Sequence, residues 1–266
     1  SGISITHDLL LDVPTKNYCT LNPLAETKTD SNTYNANPTT GLSEANLKLT
    51  SSQYFFNGHG TLGVSSGKWY FEWYSTGDWT QGGFTTDEMY SNKEQSLTDF
   101  WILYNRDSSN SIAAYYKDGT SVSSASWAGG SHASGNGNVF GCAFDVDNRK
   151  MYFHKNGEWS NGTTLTSTFP SSWGGDLTGS SHNIPAETTF YPTVRPWTNS
   201  TVIANFGQDS TFANTVASGS ANAADTNGNG DFRYTPPSGY LALCTANLDA
   251  PTVTPSENFN TVLYTG

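Results

Sequence analysis

At 266 residues the chain has room for one large β domain or two small ones. Hydrophobic residues make up 35% and mean hydropathy is −0.50, but the 14% of aromatic residues, each worth about 150–250 Å² of buried surface, supplies a core and excludes whole-chain disorder. A net charge of −11 with 12 Lys+Arg and no basic run excludes a nucleic-acid binder and opposes an anionic membrane, and no apolar stretch approaches the roughly 18 residues of a membrane span.

The chain begins Ser1-Gly2-Ile3, with neither Met nor a signal peptide, and is expected to be a fragment or processed piece. Asp8–Leu24 has two prolines and little alternation, so residues 1–45 are expected to be an extended arm packed on the body. The body is placed at 46–245. In Lys68–Tyr74, Trp69, Phe71 and Trp73 share one face and Lys68, Tyr70, Glu72 and Tyr74 the other, the period-2 pattern of a strand. Asn92–Trp101 is the best short helix candidate. Phe100–Tyr104 is apolar on both faces and reads as a strand covered on both sides. Ile112–Lys117 followed by Asp118-Gly119 predicts a hairpin, because those turn residues accept positive φ.

Ser121–Asn138 and Ser218–Asn229 are Gly/Ser/Asn-rich and are expected to be long exposed loops. Phe140, Cys142, Phe144 and Val146 alternate up to Asp147-Asn148, and Met151–Lys155 returns to a second hairpin turn at Asn156-Gly157. Thr188–Val194, Ser200–Phe206 and Gly239–Leu243 complete the strands. Residues 246–266 read as a linker, ending in a new strand at Thr261–Tyr264 that leads to a following module. Many short strands separated by turn signals, with little helix, predict an all-β, two-sheet antiparallel sandwich.

Catalytic patterns are sparse. Glycoside hydrolysis needs two carboxylates about 5–10 Å apart, and Glu72 has no acidic neighbour at 70, 74 or 76. Asp145 and Asp147 are an i,i+2 pair, but Asp147 sits in a turn, where Asp is commonly structural. No G-x-S-x-G elbow occurs, and His7, His59, His132, His154 and His182 are scattered. His154 lies on a strand and is expected to face solvent or to satisfy a core hydrogen bond. Cys19, Cys142 and Cys244 are far apart and odd in number, so they are expected to be structural thiols. No enzyme is expected.

Two features remain for binding. Asp225, Asn227 and Asn229 stand at positions 1, 3 and 5 of a calcium-type loop with Gly230 at position 6, and Asp231 follows. Position 12 is Pro236 in place of the usual bidentate Glu, so the reading stays open between a Ca²⁺ site and an Asn-Gly turn. Trp79, Tyr90, Trp127, Trp173 and Trp197 lie beside Gly, Ser or Pro in predicted loops, where flat rings stack on sugars or anchor a protein partner.

The strand motifs resemble a family. Gly67-Lys68-Trp69-Tyr70-Phe71-Glu72, Phe140–Asp147, Lys150–Gly157, Tyr191-Pro192-Thr193-Val194 and Ala204–Gln208 follow one another as in SPRY (B30.2-like) domains. The resemblance implies a SPRY/concanavalin-like jelly roll that binds through loops. The flanks Asp12–Pro23, Gly239–Leu248 and Phe259–Gly266 are similar to stretches that bracket such domains in phage structural proteins. They imply a tail-fibre or virion-surface component, folded in the host cytoplasm. The partners so implied are a host-surface glycan or protein, neighbouring virion modules and further copies of the chain in a homo-oligomeric parent assembly, with no nucleic acid and no membrane insertion. A purely structural spacer and a polysaccharide depolymerase are the competing readings.

Overall fold

Alternation along Lys68–Thr76 sets the frame, and both of its faces are buried: Trp69, Phe71 and Trp73 on one side, Tyr70 and Glu72 on the other. The computed structural model describes residues 16–24, 41–51, 58–77, 80–86, 100–104, 112–117, 120–126, 137–160, 165–170, 175–176, 188–196, 199–217 and 223–249. In chain order the strands are β1 (Leu42–Ser43), β2 (Lys48–Thr50), β3 (Gly58–His59), β4 (Lys68–Thr76), β5 (Gln81–Thr86), β6 (Phe100–Tyr104), β7 (Ile112–Lys117) and β8 (Thr120–Ser126). They continue as β9 (Asn138–Asp145), β10 (Lys150–Lys155), β11 (Glu158–Ser160), β12 (Leu165–Thr166), β13 (Gly175–Asp176), β14 (Phe190–Arg195), β15 (Thr201–Asn205) and β16 (Leu241–Ala242).

These strands form two sheets. The larger runs β1-β2-β15-β4-β9-β10-β11-β12, with β13 added on β10 and β16 on β4; the smaller runs β3-β14-β5-β6-β7-β8. Every pairing is antiparallel except β16 with β4. The aromatic core lies between the sheets, where Phe71 and Phe144 of the larger meet Phe84 and Phe190 of the smaller at ring separations of 5.0–5.5 Å. Close approach is built in at Gly82, where a Cβ would stand 2.7 Å from the Trp73 indole. The expected all-β two-sheet sandwich is what the chain forms.

A second apolar cluster covers the outer face of the larger sheet. Tyr70, Tyr152 and Trp159 pack there under Phe232 and Tyr240 of the 223–244 segment, so this sheet is buried on both sides. The small residues Gly141 and Ala143 of β9 open the trough that these rings fill, since Tyr70, Ala143 and Tyr152 stand in one cross-strand row.

Several expectations need correction. Ser121–Asn138 is not a loop throughout, because Thr120–Ser126 is β8, paired to β7 from Lys117↔Thr120 onward. Lys117 and Thr120 pair across residues 118–119, which lie outside the described residues, while the Ser and Thr of β8 hide the strand from a hydrophobic pattern. Its register skips from Tyr116↔Ser121 to Tyr115↔Ser123, leaving Val122 as a bulge in an edge strand, a device that blunts edge-to-edge pairing. Of Asn92–Trp101, Phe100 and Trp101 belong to β6 and the rest lies outside the described residues, as does Thr261–Tyr264. The Asn156-Gly157 hairpin turn is present, with φ of +51° and +85°.

Candidate functional site

Three of the chain's crossings between sheets meet at one end of the sandwich. In the smaller sheet the register brings Arg195, Gln81, Tyr104, Ile112 and Ser126 into one row across five strands. In the larger sheet Thr76 pairs with Thr201 and Ser75 with Asn138. Residues 77–80 join β4 to β5, 127–137 join β8 to β9, and 196–200 join β14 to β15, so all three connections link these two rows.

The frame of this end is polar and largely uncharged. Arg195 donates from Nη1 to Gln81 Oε1 at 2.9 Å. The Ser75 and Thr80 hydroxyls lie 2.8 Å apart, those of Thr50 and Thr201 2.9 Å apart, and Ser51 N donates to Ser200 O at 3.0 Å. Gly77, at φ +103°, lets two connections touch, since a Cβ there would lie 2.6 Å from Ser200 Oγ. Behind the frame, Thr193, Thr85 and His59 form a buried cluster, with His59 Nδ1 2.8 Å from Thr193 Oγ1. Burial, with the nearby Arg195 charge adding to it, lowers the His59 pKa to about 3.

Trp79, Tyr90, Trp127, Trp173 and Trp197 all lie outside the described residues. The nearest described residues on the chain divide the set. Trp79 is two residues before Gln81, Trp127 directly follows Ser126, and Trp197 is two residues after Arg195, so each adjoins a strand end of the one row. Tyr90 follows Thr86, which pairs with Phe190 at the opposite end of the sheet, and Trp173 precedes β13 on the larger sheet. Arg195 and Gln81 were not singled out in the sequence; a cation closing an apolar strand was the available signal.

The buried polar residues with catalytic side-chain types form a closed network. Glu72, Gly141 and His154 stand in one cross-strand row, and a Cβ on Gly141 would lie 2.0 Å from His154 Nε2. The imidazole therefore occupies the space above Gly141 and reaches the Tyr70 hydroxyl at 2.6 Å. Gly157 N donates to His154 Nδ1 at 3.3 Å, which puts the ring proton on Nε2 and leaves Tyr70 to donate to Glu72 Oε1 at 2.8 Å. Tyr234 N and Arg233 N complete Glu72 at 2.8 Å each, with Asn205 Nδ2 at 3.4 Å.

Burial raises Glu72 to about 7 against these donors, and burial lowers His154 to about 3. Tyr70, Glu72 and His154 are each fully buried, so the network fastens the 231–234 segment to the sheet and offers no atom to a substrate. His154 satisfies a core hydrogen bond and does not face solvent. Asp145 is likewise committed: burial works to raise it, but the Asn148 side chain and backbone and the Lys68 ammonium at 3.2 Å bring its pKa below the usual value. Asp147 Oδ1 accepts from Gly67 N at 2.9 Å.

In the calcium-type motif both oxygens of Asp225 are occupied by donors. Asp225 Oδ1 accepts from Asn227 N and Asn229 N at 2.9 Å each, and Oδ2 accepts from Ala242 N at 2.9 Å and Asn247 Nδ2 at 2.7 Å. Asn227 and Asn229 direct their amide N–H groups to Asn247 Oδ1, at 3.0 and 2.8 Å. Asp231 turns to a different loop, where its Oδ2 accepts from Ser210 N at 3.5 Å. Among the described residues no three His, Cys, Asp or Glu side chains group as metal ligands. Asp225 and Asn229 are 7% exposed, whereas Thr226, Asn227 and Gly228 between them are exposed, as the expected loop requires. Asn247, which sequence reading passed over, is the hub. The three cysteines are free and buried.

No protein-family model matches the chain, and no curated protein matches it. Among solved structures the chain is similar to the SPRY domain of human HERC1, at 18% identity and a TM-score of 0.38. That similarity covers 59% of this chain and 87% of the other.

Proposed function

We propose that the chain is a non-enzymatic binding module of a phage or viral surface protein, and that it engages a host-surface glycan or protein through the crossing end of the sandwich. The observation that carries the reading is the single row Arg195–Gln81–Tyr104–Ile112–Ser126, whose ends adjoin Trp79, Trp127 and Trp197 in sequence. Tryptophans grouped at one end of a rigid scaffold are the usual anchors of a binding surface. The virion setting rests on the flanking stretches of the sequence.

Binding of the purified chain to bacterial glycan arrays and intact host cells tests it. Trp79→Ala, Trp127→Ala and Trp197→Ala are each expected to weaken binding about thirtyfold, the effect of a hot-spot residue worth about 2 kcal/mol. Trp173→Ala and Tyr90→Ala, which adjoin other parts of the fold, are expected to change it little. Absence of binding to both targets would favour a spacer role, and release of new reducing ends would favour a depolymerase.

A further inference from the structure

The first and last described stretches of the chain, 16–24 and 241–249, run side by side. Residues 16–24 join neither sheet as a strand and make single bridges instead, Tyr18 opposite Cys244 and Leu21 opposite Gly60. On one side Cys19 N donates to Leu243 O at 2.8 Å, Thr245 N to Asn17 O at 2.9 Å, and Asn17 N to Thr245 Oγ1 at 3.0 Å. On the other, Asn22 N donates to His59 O at 2.7 Å, Thr61 N to Thr20 O at 2.8 Å, and Thr20 N to Thr61 Oγ1 at 3.1 Å. Leu21 N reaches Asn46 O at 2.9 Å, and the Gln208 amide donates to Cys19 O.

The bed beneath this segment is made of glycine. A Cβ on Gly60 would lie 2.7 Å from Cys19 Sγ, and one on Gly58 would lie 3.3 Å from Leu21. Cys19 and Leu21 enter the inter-sheet core from this margin, both fully buried. The ladders β15-β4-β9-β10 and β14-β5-β6 need none of these bonds. Eight hydrogen bonds and the buried side chains of Tyr18, Cys19 and Leu21 hold the segment, all of them outside those ladders, and a contiguous unit of this kind can open on its own.

We infer that residues 16–24 are a strap that undocks as a unit while both sheets stay folded, baring the Cys19 thiol and the outer edge of β3. Docked, burial pushes the Cys19 thiol up to about 11, so little thiolate is available to react. Undocked, the thiol is exposed to solvent and the Gly58–Gly60 edge and the Leu243 carbonyl are open to pairing by another extended segment. The strap thereby ties the 243–245 segment to the β3 margin of the smaller sheet.

Thiol alkylation of the full chain in urea below the unfolding midpoint tests this, with each cysteine quantified by peptide mass. Cys142, in the centre of the larger sheet, reports global unfolding. Cys19 is expected to label faster than Cys142 and with a shallower urea dependence. In Thr245→Val, which removes the side-chain acceptor of Asn17 N from an exposed position and does not touch Cys19, Cys19 labelling is expected to rise about fivefold, the effect of one lost hydrogen bond, while Cys142 labelling is unchanged. One common rate and urea dependence for both cysteines, or an equal rise at both in the variant, overturns the strap.

Discussion

Replacing Asp225 by Asn separates the two readings of the 225–231 loop. The carboxylate accepts two N–H groups on each oxygen, and an amide can present its oxygen to only one pair. If the oxygen stays with Asn227 and Asn229, the new NH₂ faces the Ala242 N–H, which is fully buried, and the Asn247 amide. Asn247 cannot turn to help, because its oxygen already accepts from Asn227 and Asn229. One stranded buried donor and one lost charged bond cost about 1–3 kcal/mol each, so a loss of about 2–6 kcal/mol is expected. For a chain this long that corresponds to a Tm lower by roughly 4–24 °C. Scanning calorimetry and urea unfolding at neutral pH, with millimolar calcium and with a chelator, read it out. A loss below about 0.5 kcal/mol, within the range of an ordinary surface change, would refute the latch. So would calcium raising the Tm of the unaltered chain while leaving Asp225→Asn unmoved, since the carboxylate would then serve an ion.

Three further outcomes follow from the buried groups. His59 and His154, lowered to about 3, contribute stability that is complete above pH 6.5 and lost as pH falls; Glu72, raised to about 7, contributes stability that is complete below pH 4.5 and lost as pH rises. Between pH 6.5 and 4.5 one histidine is thus unopposed, and urea unfolding should show a fall of about 3 kcal/mol, steepening to about twice that in Glu72→Gln; an unchanged slope in that variant refutes the assignment. Gly141→Ala, whose Cβ would strike His154, should cost at least the ~1–3 kcal/mol of overpacking, and His154→Ala in the same chain should return part of it, as a double-mutant cycle would show. Phe71→Ala should cost about 3–5 kcal/mol by urea unfolding, because Phe71 packs against Trp73, Phe84 and Phe206 at the centre of the inter-sheet core.

What could be read in advance is set by whether the cause is local. Alternation in Lys68–Tyr74 and Phe140–Val146 reports which side chains share a face, and β4 and β9 form with that register. β8 escaped because its pairing to β7 depends on backbone bonds, with Ser and Thr giving no apolar signal. Outside Gly239–Leu243 the 223–244 layer escaped for a related reason: no period organises it, and it is fastened by Glu72, remote in sequence, and by Asn247, which lies 22 residues from Asp225. His154 shows the same limit on a smaller scale. Its burial is decided by the missing side chain at Gly141 across the sheet, which nothing beside it in the chain reveals.

The crossing end follows this rule and explains why its three tryptophans were readable only as members of a larger set. Each is an aromatic beside turn residues, the same local context as Tyr90 and Trp173. What separates them is a register fixed through five strands, from Arg195 to Ser126, and that register depends on the inter-sheet core. A substitution at Phe84 or Gly82 should therefore disturb binding at that end without touching any partner, whereas a change in the Tyr70–Glu72–His154 network, on the far side of the larger sheet, should alter stability and leave binding intact.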